Sequence, residues 1–295
     1  MLWLSSGMSN PFQPNPPPPP PPPKSPGERR ARPRFDTMKI WDEASAALLA
    51  NRDVLLAVLG VFSVLPNFAL QMLAPVPEPG SGQSPEQLLT KLGTYFDANW
   101  LPLAAVVAVQ FFGMLVTLAL LGDPQRPTVG EAMRSAARGT PSFLAALAGG
   151  MALAFLTGLI PVVLIGLSGS LALTQVAAVI GTVVILYMLV RFAFTGPAVL
   201  LGGERNPVYA LRRSYFATKS IGWQLLVFIL LIFIAFRVVG WLITAAVVLL
   251  TTLIAGAAGA ALIGALIACF VQAALAATFV AVIVASYRQV GGATG

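Results

Sequence analysis

Arg212, Arg213 and Lys219 stand within eight residues of one another, on a stretch whose apolar positions Val208, Leu211 and Tyr215 recur at helical spacing. That pattern predicts a short amphipathic helix with one basic face. Asn206 suits its N-cap and Pro207 its first turn. Such a face can attract anionic lipid headgroups, at about 1 kcal/mol for each basic residue near a membrane surface. Its general role is to anchor the helix and set its side of the membrane. A sharper role is binding one lipid phosphate through Arg212 or Arg213, because a guanidinium can grip a phosphate with two parallel N–H bonds. Arg134 holds a similar place on a second stretch, with Val129, Ala132, Met133 and Ala136 as its apolar stripe. Arg191 leaves an apolar run close enough to its end to extend toward the same headgroups.

A second set of polar side chains falls inside apolar runs. Arg237 follows Trp223 by 14 residues, roughly 21 Å along a helix. An ionisable side chain at that depth is a functional-site candidate; if the run is short, it is an anchor in the outer headgroups. Both readings stand. Gln110, Gln175 and Gln272 can bond neighbouring helices or line a polar path, and interhelical bonding is the expectation.

Other chemistry is largely excluded by composition. The chain has no histidine and a single cysteine, Cys269, set among Leu266, Ile267, Ala268 and Phe270. Histidine triads, histidine bases, histidine or cysteine metal sites and disulfides therefore drop out. The 11 acidic residues mostly flank apolar runs and show no metal-loop spacing. No catalytic residue, metal site, cofactor or nucleic-acid partner is expected.

The elements that must carry these residues are membrane helices. The sequence is 57% hydrophobic and 10% charged, with mean hydropathy +0.82. A soluble domain carries about 25% charged residues, so this chain cannot coat a soluble surface. Apolar runs long enough to span a bilayer cover about 54–73, 101–121, 143–167, 171–193, 223–251 and 260–286. The expected fold is all-α: a polytopic protein of six transmembrane helices in three hairpins, each hairpin preceded by an interfacial amphipathic helix. The first of those helices is marked by Ile40, Trp41, Ala44, Ala47 and Leu48. Pro66 should kink the first span. Ser84-Pro85-Glu86-Gln87 reads as a capping box opening a short surface helix that ends at Trp100. Residues 223–287 allow two long helices turning near 256–259, the favoured reading, or two spans flanking a re-entrant piece near 247–261.

Charge sets the orientation. With the N-terminus inside, 15 basic residues fall on cytoplasmic segments and Lys91 alone lies outside, so the positive-inside rule places both termini in the cytoplasm. Residues 1–37, with eight consecutive prolines (16–23) and five basic residues, read as a solvated, extended tail. A docking site or polybasic tether is the alternative use of that tail. A native start at Met38 would omit it. The membrane domain then covers 38–295.

The interfacial helices hint at a repeat. Val129 to Ser135 aligns without gaps on Val208 to Ser214, with valine, arginine and serine coinciding, each after a proline-containing turn. Asp36 to Arg52 holds the same place before the first hairpin, at an interval of about 80 residues.

Arg191-Phe-Ala, Pro197-Ala198, the run Ala210-Leu-Arg-Arg-Ser214, Thr218-Lys219, Trp223 and the ending Tyr287-Arg288 together resemble a bacterial membrane domain. It is the one found fused to some glycerophosphoryl diester phosphodiesterases, which also occurs alone. Gly202 stands where that family's acidic residue usually follows the Pro-Ala-Val-Leu-Leu segment, and Glu204 comes two later. The resemblance implies a bacterial inner-membrane location and this six-helix fold. It does not imply phosphodiesterase activity, which belongs to a separate soluble barrel using histidines. The expected function is non-enzymatic engagement of lipids, above all anionic headgroups, or of a membrane-protein partner. A transporter or channel using Arg237, Gln110 and Gln272 is the alternative; a membrane-embedded lipid enzyme has least support.

Overall fold

The computed structural model describes residues 35–77, 84–123 and 127–291; the proline-rich tail lies outside them. Every element among the described residues is helical. In chain order they are α1 (Thr37–Ala50), α2 (Arg52–Leu59), a π-helical turn (Gly60–Val64), α3 (Leu65–Leu73), α4 (Pro85–Gly122), α5 (Val129–Gly166), α6 (Leu171–Arg191), α7 (Thr195–Leu200) and α8 (Pro207–Ala217). A last helical stretch breaks at Gly256 into α9 (Gly222–Ile254) and α10 (Gly256–Val290). Six segments are long and apolar enough to cross a bilayer: Arg52–Leu73, α4, α5, α6 through α7, α9 and α10. The chain is a multi-pass membrane protein.

Backbone chemistry explains where the helices begin and bend. The Asp36 carboxylate accepts the N–H groups of Met38 and Lys39 at the start of α1. Ser84 and Gln87 form the expected capping box on α4, and Thr128 and Glu131 form another on α5. Pro66 does not kink the first span as a simple break would. A proline cannot donate to the carbonyl four residues back, and the helix widens into the π turn just before it, where Leu65 N–H reaches the Gly60 carbonyl. Gly256 adopts φ +71° and ψ −179°, a region open essentially to glycine alone. Two long helices therefore meet there, with no re-entrant segment between them.

Two expected surface helices are not separate elements. The stripe ending at Trp100 joins the second span in α4, across a kink at Asn99 (φ −120°, ψ 15°). The one carrying Arg134 runs unbroken into the third span as α5, through Pro141. Pro141 sits at an exposed position, where water can satisfy the carbonyl that loses its donor. Only α1 and α8 stand apart.

The helices pair through small residues and facing polar groups. Gly158 and Gly181 bring α5 and α6 into backbone contact. Gly240 meets Val271, and Gly264 meets Val248, between α9 and α10. Gln110 Nε2 donates to Asn67 Oδ1 (2.8 Å) and Tyr95 Oη to the Ala74 carbonyl (2.8 Å), joining the first two spans. Half of the most apolar stretch of α10 is buried, against 11% for α9, so α10 is the axis of the bundle and α9 flanks it. Ile40 and Ala44 of α1, Leu118 and Leu121 of α4, and Val280 to Ala285 of α10 form one core cluster. The α1 helix thus packs inward on α10 through its apolar face, while Trp41 stays partly exposed.

One end of the bundle gathers α1, the start of α5, the 191–222 segment and the end of α10. Arg288 links it by donating to the carbonyls of Leu121 and Gly122, both 2.9 Å. The turns at 74–84, 167–170 and 256 belong to the opposite end.

Candidate functional site, a basic surface at one end of the bundle

The sequence places α8 after a turn whose shape depends on glycine. Gly203 has φ +67°, and Gly202 lies so close to the Ala198 carbonyl that a Cβ there would come within 2.5 Å of it. This turn leans on α5, where Gly139 accommodates the Leu200 methyl and Ser142 Oγ donates to the Arg205 carbonyl (2.6 Å). Two neighbouring elements result, the first turns of α5 and the α7–α8 segment. Between them they expose Arg134, Arg138, Arg205, Arg212, Arg213 and Lys219.

Six cations face two carboxylates on this surface. Glu204 sits 3.7 Å from Arg213 Nη1, both about half-exposed, a geometry worth little in stability. Glu131 is turned back to the helix start, where its Oε2 accepts from the Thr128 N–H (2.8 Å) and hydroxyl (2.9 Å). The Arg212 guanidinium lies 5.7 Å from the Phe216 ring. Arg134, Arg138 and Arg205 have no carboxylate within salt-bridge distance among the described residues, and all three border one recess of about 380 Å³. An arrangement with this excess of positive charge beside apolar spans can hold anionic headgroups.

Arg191 belongs to the interior instead. It is 5% exposed, so it does not extend to headgroups. Its Nη2 donates to the Tyr215 carbonyl (2.7 Å) and its Nη1 to the Tyr187 hydroxyl (2.9 Å), and its guanidinium lies 3.8 Å from the centre of the Tyr215 ring. Its own carbonyl, one of those a helix end leaves without a partner, accepts from Ser214 Oγ (2.7 Å) and Thr218 Oγ1 (3.2 Å). Arg191 is therefore the pin that fastens α8 to the end of α6. Ser214 is buried for this reason, whereas Ser135, its counterpart in the aligned stretch, is exposed.

The polar residues within spans separate into three cases. Gln110 is bonded to Asn67 as interhelical glue. Gln175 is exposed and makes no hydrogen bond among the described residues. Arg237 and Gln272 come together in a groove of about 340 Å³ beside Gly240, Trp241 and Thr244, both exposed. That groove shares Phe233, Gln272 and Leu275 with a larger apolar cleft of about 580 Å³ between α6, α9 and α10. Cys269 is fully buried, with Gln71 Nε2 3.4 Å from its sulfur, as suits an inert thiol.

Reasoning from sequence did not single out Arg138 or Arg205. The four-residue spacing of Arg134 and Arg138 puts them on one helix face and could have paired them. Nothing local ties Arg205 to α5, because Ser142 lies 63 residues away. Among the described residues no three metal-ligating side chains cluster. No protein family, curated protein or solved structure matches this chain.

Proposed function

We propose that this chain is a non-enzymatic inner-membrane protein of the bacterial envelope that engages anionic lipids through its basic end, with that end in the cytoplasm. In this reading it is a stand-alone relative of the membrane domain fused to some glycerophosphoryl diester phosphodiesterases. The carrying observation is the excess of exposed cations over carboxylates on α8 and the start of α5. Isolated charges would serve for topology alone, but these are contributed by two elements held side by side by Ser142 and Gly139. Clustered arginines at the foot of membrane helices suit phosphate headgroups.

The test is lipid retention. The purified protein, in nanodiscs of mixed zwitterionic and anionic lipid, should keep anionic lipid into native mass spectrometry. A variant with all six exposed cations changed to glutamine should not. Equal retention of both lipid classes by the unchanged protein would sink the proposal. Reporters fused at Lys91 and at the C-terminus test orientation, and a cytoplasmic signal at Lys91 would reverse it.

A second reading, a path for a polar or amphipathic substrate, draws on Arg237 and Gln272 meeting in one groove. Here proteoliposomes should move a fluorescent anionic lipid between leaflets, and Arg237→Ala should stop it. Movement no faster than in empty vesicles removes this reading.

A further inference from the structure

We infer that the recess between α5 and the α7–α8 turn is a discrete site for a dianionic phosphate group, carried by a lipid headgroup and held by Arg134, Arg138 and Arg205. The inference rests on the lipid-engaging reading above and narrows it to one place and one ligand chemistry.

Position comes first. Arg134 and Arg138 lie one turn apart on the same face of α5, and both border the recess. Arg205 enters from the facing turn, with its backbone fixed by the Ser142 hydroxyl at 2.6 Å. Gly139 lies between Arg138 and Ser142 in sequence and lets Leu200 approach so closely that a Cβ there would have to displace it. The recess is therefore built by tertiary packing, and its three guanidinium-bearing residues come from two elements held at fixed separation. Less ordering is then needed when a ligand binds.

Charge comes next. Three guanidinium groups meet one carboxylate, Glu131, which also borders the recess and is engaged with Thr128 at the helix start. Two positive charges remain. A phosphomonoester near neutral pH carries close to two negative charges, whereas a phosphodiester carries one, so the monoester neutralises the recess more fully. Arginine favours phosphate because its planar fork can donate two bonds at once.

Depth identifies the carrier. Phe143, which begins the apolar run of α5, follows Arg138 by five residues, roughly 7.5 Å along the helix. The recess therefore opens at headgroup level. A headgroup phosphate can reach it while its acyl chains stay in the bilayer.

The experiment measures retention of phosphatidic acid, a phosphomonoester lipid, against phosphatidylglycerol and phosphatidylcholine in nanodiscs of the full chain, with inorganic phosphate as soluble competitor. Phosphatidic acid should be retained in preference to both other lipids. Arg138→Gln and Arg205→Gln should each weaken that retention about tenfold, the loss expected for one charge-assisted hydrogen bond. Arg138→Lys should lose less than Arg138→Gln, and Arg212→Gln, outside the recess, should change little. Both glutamine variants should keep the parent elution profile and melting temperature, because the bond that fixes the turn uses the Arg205 backbone carbonyl. Displacement by millimolar inorganic phosphate would assign the site to free phosphate, with the dianion chemistry intact; resistance to displacement assigns it to lipid. If neither variant alters the preference while the six-glutamine variant abolishes anionic-lipid retention, the recess is refuted and the general lipid reading survives. If phosphatidic acid is retained no better than phosphatidylcholine, both fail.

Discussion

Replacing Arg191 tests whether the guanidinium fork or the positive charge fastens α8 to the bundle. Arg191→Met removes two hydrogen bonds from a charged donor, at 2.7 and 2.9 Å, and each such bond is worth about 1.5–3 kcal/mol. The stacking on Tyr215 adds to that loss. Against it stands relief: the Arg191 Nε–H is buried without an acceptor, a defect costing about 1–3 kcal/mol, and methionine fills much of the same volume without a charge. The acceptors left behind are only partly orphaned, since the Tyr215 carbonyl lies 3.3 Å from the Thr218 hydroxyl and Tyr187 is half-buried. The net expectation is a loss of about 2 kcal/mol, or about thirtyfold in the folding equilibrium. Arg191→Lys should be worse than methionine, because an ammonium is more strongly hydrated and cannot span both acceptors. Unfolding in mixed detergent micelles, followed by tryptophan fluorescence, gives both values. The reasoning is refuted if methionine costs less than about 0.5 kcal/mol, or if lysine is milder than methionine.

Three further outcomes follow from the packing. Gly256→Ala forces a side chain into φ +71°, ψ −179° and should cost about 1–3 kcal/mol, read as a fall in melting temperature; an unchanged value would mean that the turn is relaxed. Gln110→Leu removes the 2.8 Å bond to Asn67 and should cost about 0.6 kcal/mol, and no more than about 1.7, in the same micelle assay. Gly158→Ala places a Cβ 2.7 Å from the Gly181 carbonyl oxygen, so α5 and α6 must separate at about 1–3 kcal/mol; a disulfide engineered across the two helices should then form more slowly, and an equal rate would count against the contact.

The six spans were legible because bilayer solvation writes itself into local composition: a run of apolar residues is needed wherever a helix meets lipid. Gly256 and the capping boxes were legible for a similar reason, as each rests on neighbours in sequence. What could not be read depends on residues far apart. Arg191 looks the same in sequence whether it extends to headgroups or turns inward, and Tyr215 and Ser214, some 24 positions on, decide the matter. Trp41 and Ile40 both suit an interfacial helix, but Ile40 is 1% exposed because α10 lies beneath it. The π turn before Pro66 is a local compromise between a missing donor and the surrounding helix, and its sign in the sequence, a proline within an apolar run, fits a kink equally well.

The axial position of α10 also bears on how the chain is assembled. This helix is the last to leave the ribosome, yet α1 and α4 bury their apolar faces on it, and Arg288 closes the carbonyl end of α4. Order of synthesis therefore runs opposite to order of burial. The first spans must wait in the bilayer with their inner faces against lipid until the final helix arrives to complete them. A chain cut short after α9 would lack its centre rather than its edge, and membrane quality control would meet five helices with no common partner to fold around.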